Sequence, residues 1–221
     1  MIDLKVPGCV RPRQSLGYTI YRLFGKRLFD IVIALTAMIA LSPVLLVIAG
    51  SVAVFLGRPV LFRQQRAGTK GEPFTLLKFR TMRDDCDKSG EPLPDGQRLP
   101  PFGRFLRSSS LDELPNLWNV LCGEMSIVGP RPLLVEYLGR YTTQQMRRHD
   151  LRGGITGWAQ VNGRNCQTWE ERFQLDVWYV DNCSFGLDIR ILALTLKTVA
   201  RRDGVRAVGH ATMPAFKGSN G

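Results

Sequence analysis

From Ile31 to Gly57 the chain carries no charged residue: IVIALTAMIALSPVLLVIAGSVAVFLG. This run limits the fold more than any other feature of the 221 residues. It is longer than a signal-peptide core, and no small-residue cleavage pattern follows it. A membrane segment is therefore expected, with a buried core helix as the alternative. Arg22, Lys26 and Arg27 precede the run, and Arg58, Arg63, Arg66 and Lys70 follow it. Basic flanks favour the cytoplasmic side, so a straight span would carry one cluster across the membrane. A hairpin that enters and returns keeps both inside. Ser42-Pro43 lies at mid-run, where proline removes a helical hydrogen bond and Ser42 can satisfy a freed carbonyl. Each arm of about 13 residues would be roughly 20 Å long, short of a hydrocarbon core of about 30 Å. A kinked helix that spans the bilayer is the competing reading, because transmembrane helices tolerate proline.

Charge narrows the partners. Thirty Lys and Arg against nineteen Asp and Glu leave a net +11, which suits an anionic partner: nucleic acid, a membrane surface or a phosphorylated substrate. The five cysteines form no CxxC pair, and His149 and His210 are the only histidines. These counts disfavour a structural zinc site and a disulfide framework, and leave no tenable Ser-His-Asp triad. Neither a GxxxxGK[ST] loop nor a GxGxxG turn occurs, so a P-loop or Rossmann nucleotide site has no support.

Residues 58–221 alternate short apolar runs with Gly, Pro and basic clusters, without internal repeats. Residues 60–63 and 74–79 read as strands, 83–99 as a loop, and 111–121, 133–148 and 169–182 as helices. Residues 187–202 read as a basic amphipathic helix, either at a membrane surface or packed on the core. Chemistry centres on Ser108-Ser109-Ser110-Leu111-Asp112-Glu113-Leu114-Pro115. Ser110 with Glu113 matches a capping box, in which the acids would merely cap a helix. Asp112 and Glu113 also make a plausible nucleophile and metal-ligand pair beside Arg107. Arg131, between two prolines, would hold its guanidinium rigidly, as binding a diphosphate requires.

Seven segments now stand in order: Lys26-Arg27-Leu28-Phe29-Asp30; Ser42-Pro43; Lys78-Phe79-Arg80-Thr81-Met82; Arg107; Leu111-Asp112-Glu113-Leu114-Pro115; Gly129-Pro130-Arg131-Pro132; and Gly154-Ile155-Thr156-Gly157-Trp158. Together they resemble the bacterial sugar transferases, the small monotopic phosphoglycosyl transferases, over residues 26–202. The stretch Gln160-Val161-Asn162-Gly163-Arg164-Asn165 and the tail around Gly209-His210 resemble the branch acting on N-acetylated UDP-sugars.

The resemblance implies transfer of a sugar phosphate from a UDP-sugar to polyprenyl (undecaprenyl) phosphate, with release of UMP. It implies Asp112 as a nucleophile forming a covalent phosphosugar intermediate, and Glu113, with Asp112, as the holder of Mg²⁺. Lys78, Arg107 and Arg131 match phosphate-binding positions, and Arg80, Arg152, Asn162 and Arg164 complete the candidate substrate-binding set. The expected architecture is a helix-rich α+β fold. Residues 1–25 form an N-terminal tail, 26–57 a re-entrant membrane hairpin hinged at Ser42 and Pro43, and 58–221 a small cytosolic catalytic domain with interfacial amphipathic helices. The expected location is the bacterial inner membrane, catalytic domain facing the cytoplasm, in contact with lipids and with self-association through the hairpin. The alternatives are a non-catalytic membrane-surface adaptor and a nucleic-acid binder. The second is disfavoured, because the basic residues are scattered and no nucleic-acid module is present.

Overall fold

The computed structural model describes residues 16–87, 89–91, 93–162, 168–200 and 215–218. The chain enters on α1 (Leu16–Ile20), passes through a π-helical turn (Tyr21–Gly25) into α2 (Lys26–Ala40), and bends into α3 (Ser42–Phe55). The bend is 65°, and among the described residues no single helix is long and apolar enough to cross a membrane. Its cause is local. Pro43 has no N–H to offer Ile39, four residues back, and Leu41 leaves helical geometry with φ −94° and ψ 4°. The Ser42 hydroxyl donates to that same Ile39 carbonyl at 2.9 Å, as the sequence suggested. Both arms leave large apolar side chains uncovered, among them Ile39 (67% exposed), Leu46 (74%) and Val54 (79%).

A β-hairpin follows, β1 (Leu61–Ala67) antiparallel to β2 (Pro73–Phe79), with Leu61 opposite Phe79 and Arg66 opposite Phe74. Its turn places Lys70 and Gly71 at φ 56° and 83°, and glycine takes the second value without strain. Next come α4 (Asp95–Arg98) and α5 (Pro101–Ser108), a 3-10 turn (Leu111–Glu113), α6 (Asn116–Cys122) and β3 (Met125–Val128). Short pieces lead to β4: a 3-10 stretch (Val135–Arg140), α7 (Thr143–Met146), a second 3-10 stretch (Arg147–Asp150), then β4 (Gly153–Thr156). The chain continues through α8 (Trp158–Asn162), α9 (Trp169–Asn182) and α10 (Phe185–Ala200). Strands β3 and β4 pair in parallel, Met125 opposite Gly153.

Both arms of the bent helix pack on the rest of the chain. Ala34 of α2 joins the main core with Leu76, Val120, Met125, Tyr179 and Ile191. Ile48 and Val52 of α3, with Leu56 just after it, join Phe79 and Leu106 in a second cluster. Strand alternation explains the division: Phe74 and Leu76 point to one face of β2 and Phe79 to the other. The charged residues of Lys26–Asp30 turn out to be anchors. Lys26 Nζ lies 2.8 Å from Asp188, which also accepts from Tyr21 and Tyr179, and Lys26 and Asp188 are buried. Arg27 donates to the carbonyls of Val120 and Leu121 at the end of α6, and Asp30 accepts from Ser126 and the Ile127 N–H.

Several sequence expectations need correction. Residues 111–121 are not one helix: the 3-10 turn gives way to α6 at Pro115, whose missing N–H breaks the ladder. Ser110 adopts φ 58° and caps nothing with its side chain, so the Ser110–Glu113 capping box is absent. Residues 133–148 are also broken, into a 3-10 stretch and the four-residue α7. The loop at 83–99 contains α4. The expectation of a helix at 169–182 holds to the residue, where Thr168 and Glu171 form a true capping box. For 187–202, the helix starts at Phe185. Asp188 and Ile191 face the core while Ile189, Leu196 and Val199 stay exposed; Arg201 and Arg202 lie outside the described residues.

Candidate active site

Lys78 reaches the site through strand parity. It shares a face with Phe74 and Leu76, and so points inward although charged. Asn119 of α6 clamps that strand: its Nδ2 donates to Thr75 O at 2.8 Å and its Oδ1 accepts from the Leu77 N–H at 3.1 Å. This clamp sets the start of α6, and the turn before it, beside Lys78. Lys78 Nζ then donates to Glu113 Oε1 at 2.7 Å. Arg131 approaches Glu113 from the other side, Nη1 to Oε2 at 3.3 Å and Nη2 to Oε1.

Arg131 is held by more than its prolines. Its carbonyl accepts from Arg148 Nη2 at 2.7 Å, and Arg148 is paired in turn with Asp176 at 2.8 Å, both fully buried. Close backbone approach keeps this loop against β4, since a Cβ on Gly154 would lie 2.1 Å from the Gly129 nitrogen. Arg107, from α5, donates through Nε to Thr81 Oγ1 at 3.0 Å.

The two acids have opposite electrostatics. Burial alone would raise Glu113, but the charges and hydrogen bonds of Arg131 and Lys78 outweigh it and hold the carboxyl down at about 2. Asp112 is pushed up to about 6, by burial first and by neighbouring Glu113 second; Lys78, Arg131 and Arg107 pull the other way. Among the described residues no hydrogen-bond donor is committed to the Asp112 carboxylate. Burial and the Arg131 charge hold Lys78 below the usual lysine range. In a 3-10 turn successive side chains point about 120° apart, so Glu113 can be tied to cations while its neighbour stays free. The family model of bacterial sugar transferases matches residues 21–202.

The chain belongs to the bacterial sugar transferase family. It is 52% identical over 194 residues to the uncharacterized sugar transferase EpsL of Bacillus subtilis, covering 88% of this chain and 96% of that protein. It is 41% identical over 203 residues to the UDP-glucose:undecaprenyl-phosphate glucose-1-phosphate transferase of Xanthomonas campestris, covering 87% of this chain. It is 38% identical over 199 residues to the undecaprenyl-phosphate galactose phosphotransferase of Salmonella typhimurium, covering 82%. The chain spans about two fifths of each of these last two (40% and 41%).

In this sugar transferase the recess around Glu113 gathers Lys78 and Arg131, with Asp112 and Arg107 close by in the same field of charge. Other expected substrate-binding residues are engaged elsewhere. Arg80 donates to Leu56 O at the end of α3 and pairs with Asp84. Arg152 Nε donates to Gly123 O at 2.8 Å, and Asn162 donates back to Trp158 O within α8. Arg164 lies outside the described residues. Two residues that were not foreseen, Arg66 and Asn116, line the recess. Hairpin register is the signal for Arg66: opposite Phe74, it shares the face that carries Lys78.

The donor chemistry suits Mg²⁺. Asp112 and Glu113 are adjacent oxygen ligands, and Mg²⁺ commonly takes one or two carboxylates while water and substrate phosphates fill the remaining positions. Among the described residues no group of three His, Cys, Asp or Glu side chains converges as a self-sufficient metal cage.

Proposed function

We propose that this transferase moves a sugar-1-phosphate from a UDP-sugar to a polyprenyl phosphate of the undecaprenyl type. A free, buried Asp112 carboxylate beside a cation-lined recess carries this reading. An Asp112 oxygen attacks the sugar-bearing phosphorus, the P–O–P bond breaks, and UMP leaves with the bridging oxygen. The acceptor's phosphate oxygen then attacks the same phosphorus and releases Asp112, giving a polyprenyl diphosphate sugar. Two steps let a soluble donor leave before a lipid acceptor engages the site.

Burial strips water from Asp112 and makes it a stronger base, while Lys78, Arg131 and Arg107 supply the positive field that an anionic donor needs. Glu113 holds Lys78 and Arg131 in register. When bound at Asp112 and Glu113, Mg²⁺ would screen the phosphate charge.

The bent pair α2 and α3 is read as a re-entrant hairpin in the cytoplasmic leaflet of the bacterial inner membrane. The uncharged parts of the two arms, residues 31–40 and Ser42–Phe55, are about 15 and 21 Å long, both short of a core of about 30 Å. Their uncovered apolar side chains supply the lipid-facing surface, and basic flanks on both sides keep the catalytic domain in the cytoplasm. The product would start a membrane-assembled glycan. The donor sugar is taken as N-acetylated on the likeness of residues 160–165 and of the tail around Gly209-His210. Residues 163–165 and that tail lie outside the described residues, and two of the relatives above are named as a glucose-1-phosphate transferase and a galactose phosphotransferase.

The test is UMP release by the protein in lipid nanodiscs with undecaprenyl phosphate, Mg²⁺ and UDP-linked glucose, galactose and their N-acetyl forms. Lipid-dependent release with one donor, lost in Asp112→Asn, is the expected result. Retained release in that variant would remove Asp112 from its role. Asp112→Asn is expected to stay folded, because among the described residues the carboxylate holds no hydrogen bond.

A further inference from the structure

Three cationic side chains, Arg66, Lys78 and Arg131, line the recess with one carboxylate, Glu113. That carboxylate is already shared by Lys78 and Arg131. Arg66 has no carboxylate partner among the described residues. Its Nη2 donates to Gln64 Oε1 at 2.6 Å, its Nη1 reaches Pro132 O only at 3.4 Å, and its Nε is buried without a partner. Burial, and then the like charge of Arg131, hold its guanidinium below the ordinary arginine range. Two guanidinium groups converging around one shared carboxylate leave unanswered positive charge, and a planar guanidinium suits a phosphate better than a point charge does.

Asn116 gives a second, independent sign. It lines the same recess, is 2% exposed, and its Oδ1 has no hydrogen-bond partner. A buried polar atom left unpaired is costly and calls for a partner. The recess thus presents one unpaired cationic N–H, Arg66 Nε, and one unpaired polar oxygen, Asn116 Oδ1, features that suit a polyhydroxylated phosphate ester.

We infer that Arg66 is a further phosphate-binding residue for the donor's diphosphate in this recess, and that Asn116 accepts from a donor hydroxyl. The inference rests on the transferase reading above and adds a residue to it. Arg66 arrives on β1 and Lys78 on β2, so the hairpin presents one cation from each strand to the same ligand.

The experiment measures binding of UDP, UMP and undecaprenyl phosphate to the full chain in nanodiscs, for the parent protein, Arg66→Gln and Arg66→Lys. Arg66→Gln is expected to weaken UDP at least about tenfold, or about 1.4 kcal/mol, and to leave undecaprenyl phosphate within about twofold. Arg66→Lys should fall between, keeping the charge but losing the fork. Unchanged UDP affinity in Arg66→Gln overturns the inference alone. A loss confined to undecaprenyl phosphate overturns it too, by assigning Arg66 to the acceptor. Failure of the parent to bind UDP overturns the transferase reading beneath it. A second measurement on the parent needs no variant to fold: UDP should shield Arg66 from phenylglyoxal, read by peptide mass spectrometry. Equal modification with and without UDP counts against the assignment.

Discussion

Glu113 and Arg131 meet side chain to side chain, with Nη1 and Nη2 of the arginine reaching Oε2 and Oε1 of the acid while Lys78 shares Oε1 at 2.7 Å. One carboxylate thus fixes two cations of the recess beside Asp112. Glu113→Gln keeps the shape and removes the charge that both cations share. Leaving two half-buried cations without their partner costs on the order of 2 kcal/mol. A loss of unfolding free energy of that size is expected from chemical denaturation, with UMP release reduced at least about a hundredfold, since misplaced phosphate-binding groups forfeit transition-state stabilisation. Wild-type stability in Glu113→Gln would show that the cations are held by other means.

Activity should follow the protonation of Asp112. Its carboxyl sits at about 6, so the group proposed as nucleophile is ionised above that pH and protonated below it. The rate at low donor concentration is expected to be flat above about pH 7 and to fall roughly tenfold per unit below about pH 5.5. Glu113, held at about 2, stays ionised throughout and contributes no inflection. A pH–rate profile that stays flat down to pH 4.5 would exclude Asp112 as the group that must be ionised.

The same two acids act on stability with opposite sign. Asp112 binds its proton more tightly folded than unfolded, so it opposes folding when ionised above about pH 6. As pH falls from 6 to 4 the folded state takes up this proton and the cost, about 2 kcal/mol, is relieved. Glu113 stabilises the fold above about pH 4.3, its ordinary value, and that contribution is lost only as pH falls towards 2. Between pH 7.5 and 4, the stability difference between Asp112→Asn and the parent should therefore shrink by about 2 kcal/mol. Chemical denaturation at both pH values measures it.

Lys26 and Asp188 tie α2 to α10 at 2.8 Å, with both groups out of water and two tyrosine hydroxyls on the same carboxylate. Asp188→Asn leaves the ammonium of Lys26 buried and uncompensated, and a loss of about 3–5 kcal/mol is expected. Lys26→Met together with Asp188→Leu should recover part of that loss, because a buried pair replaced by apolar groups has no desolvation left to overcome. A double variant no more stable than Asp188→Asn would show that the tyrosine hydroxyls, rather than the ion pair, set the cost.

Pro43→Leu restores the N–H that Ile39 O lacks and should reduce the 65° bend. Tags placed at Gly17 and after Phe55 are expected on one side of the membrane in the parent. In the variant, at least a fraction of molecules should place them on opposite sides. Identical protease accessibility in both proteins would show that packing of Ile48 and Val52 on Phe79 and Leu106 sets the bend without help from proline.

Local features of this protein could be read directly from its residues. The uncharged run, its break at Pro43 and the answering Ser42 hydroxyl all lie within a few positions, as do the β2 alternation and the Thr168–Glu171 cap that starts α9. Asp112 and Glu113 are chain neighbours, so their pairing needed no fold. What the tertiary structure alone decided is which distant groups face them. Lys78 and Glu113 are 35 residues apart, Arg131 and Glu113 18, and Lys26 and Asp188 162. Basic residues look alike in a sequence: Arg80 and Arg152 resemble Lys78 and Arg131, yet they spend their donors on Leu56 O and Gly123 O. Strands β3 and β4 are four residues each and pair in parallel across a long connection, so neither carries a periodic signal of its own. Strand parity, the Asn119 clamp and the buried Asp176–Arg148 pair behind Arg131 choose among the cations, and each exists only once remote backbone segments have been brought together.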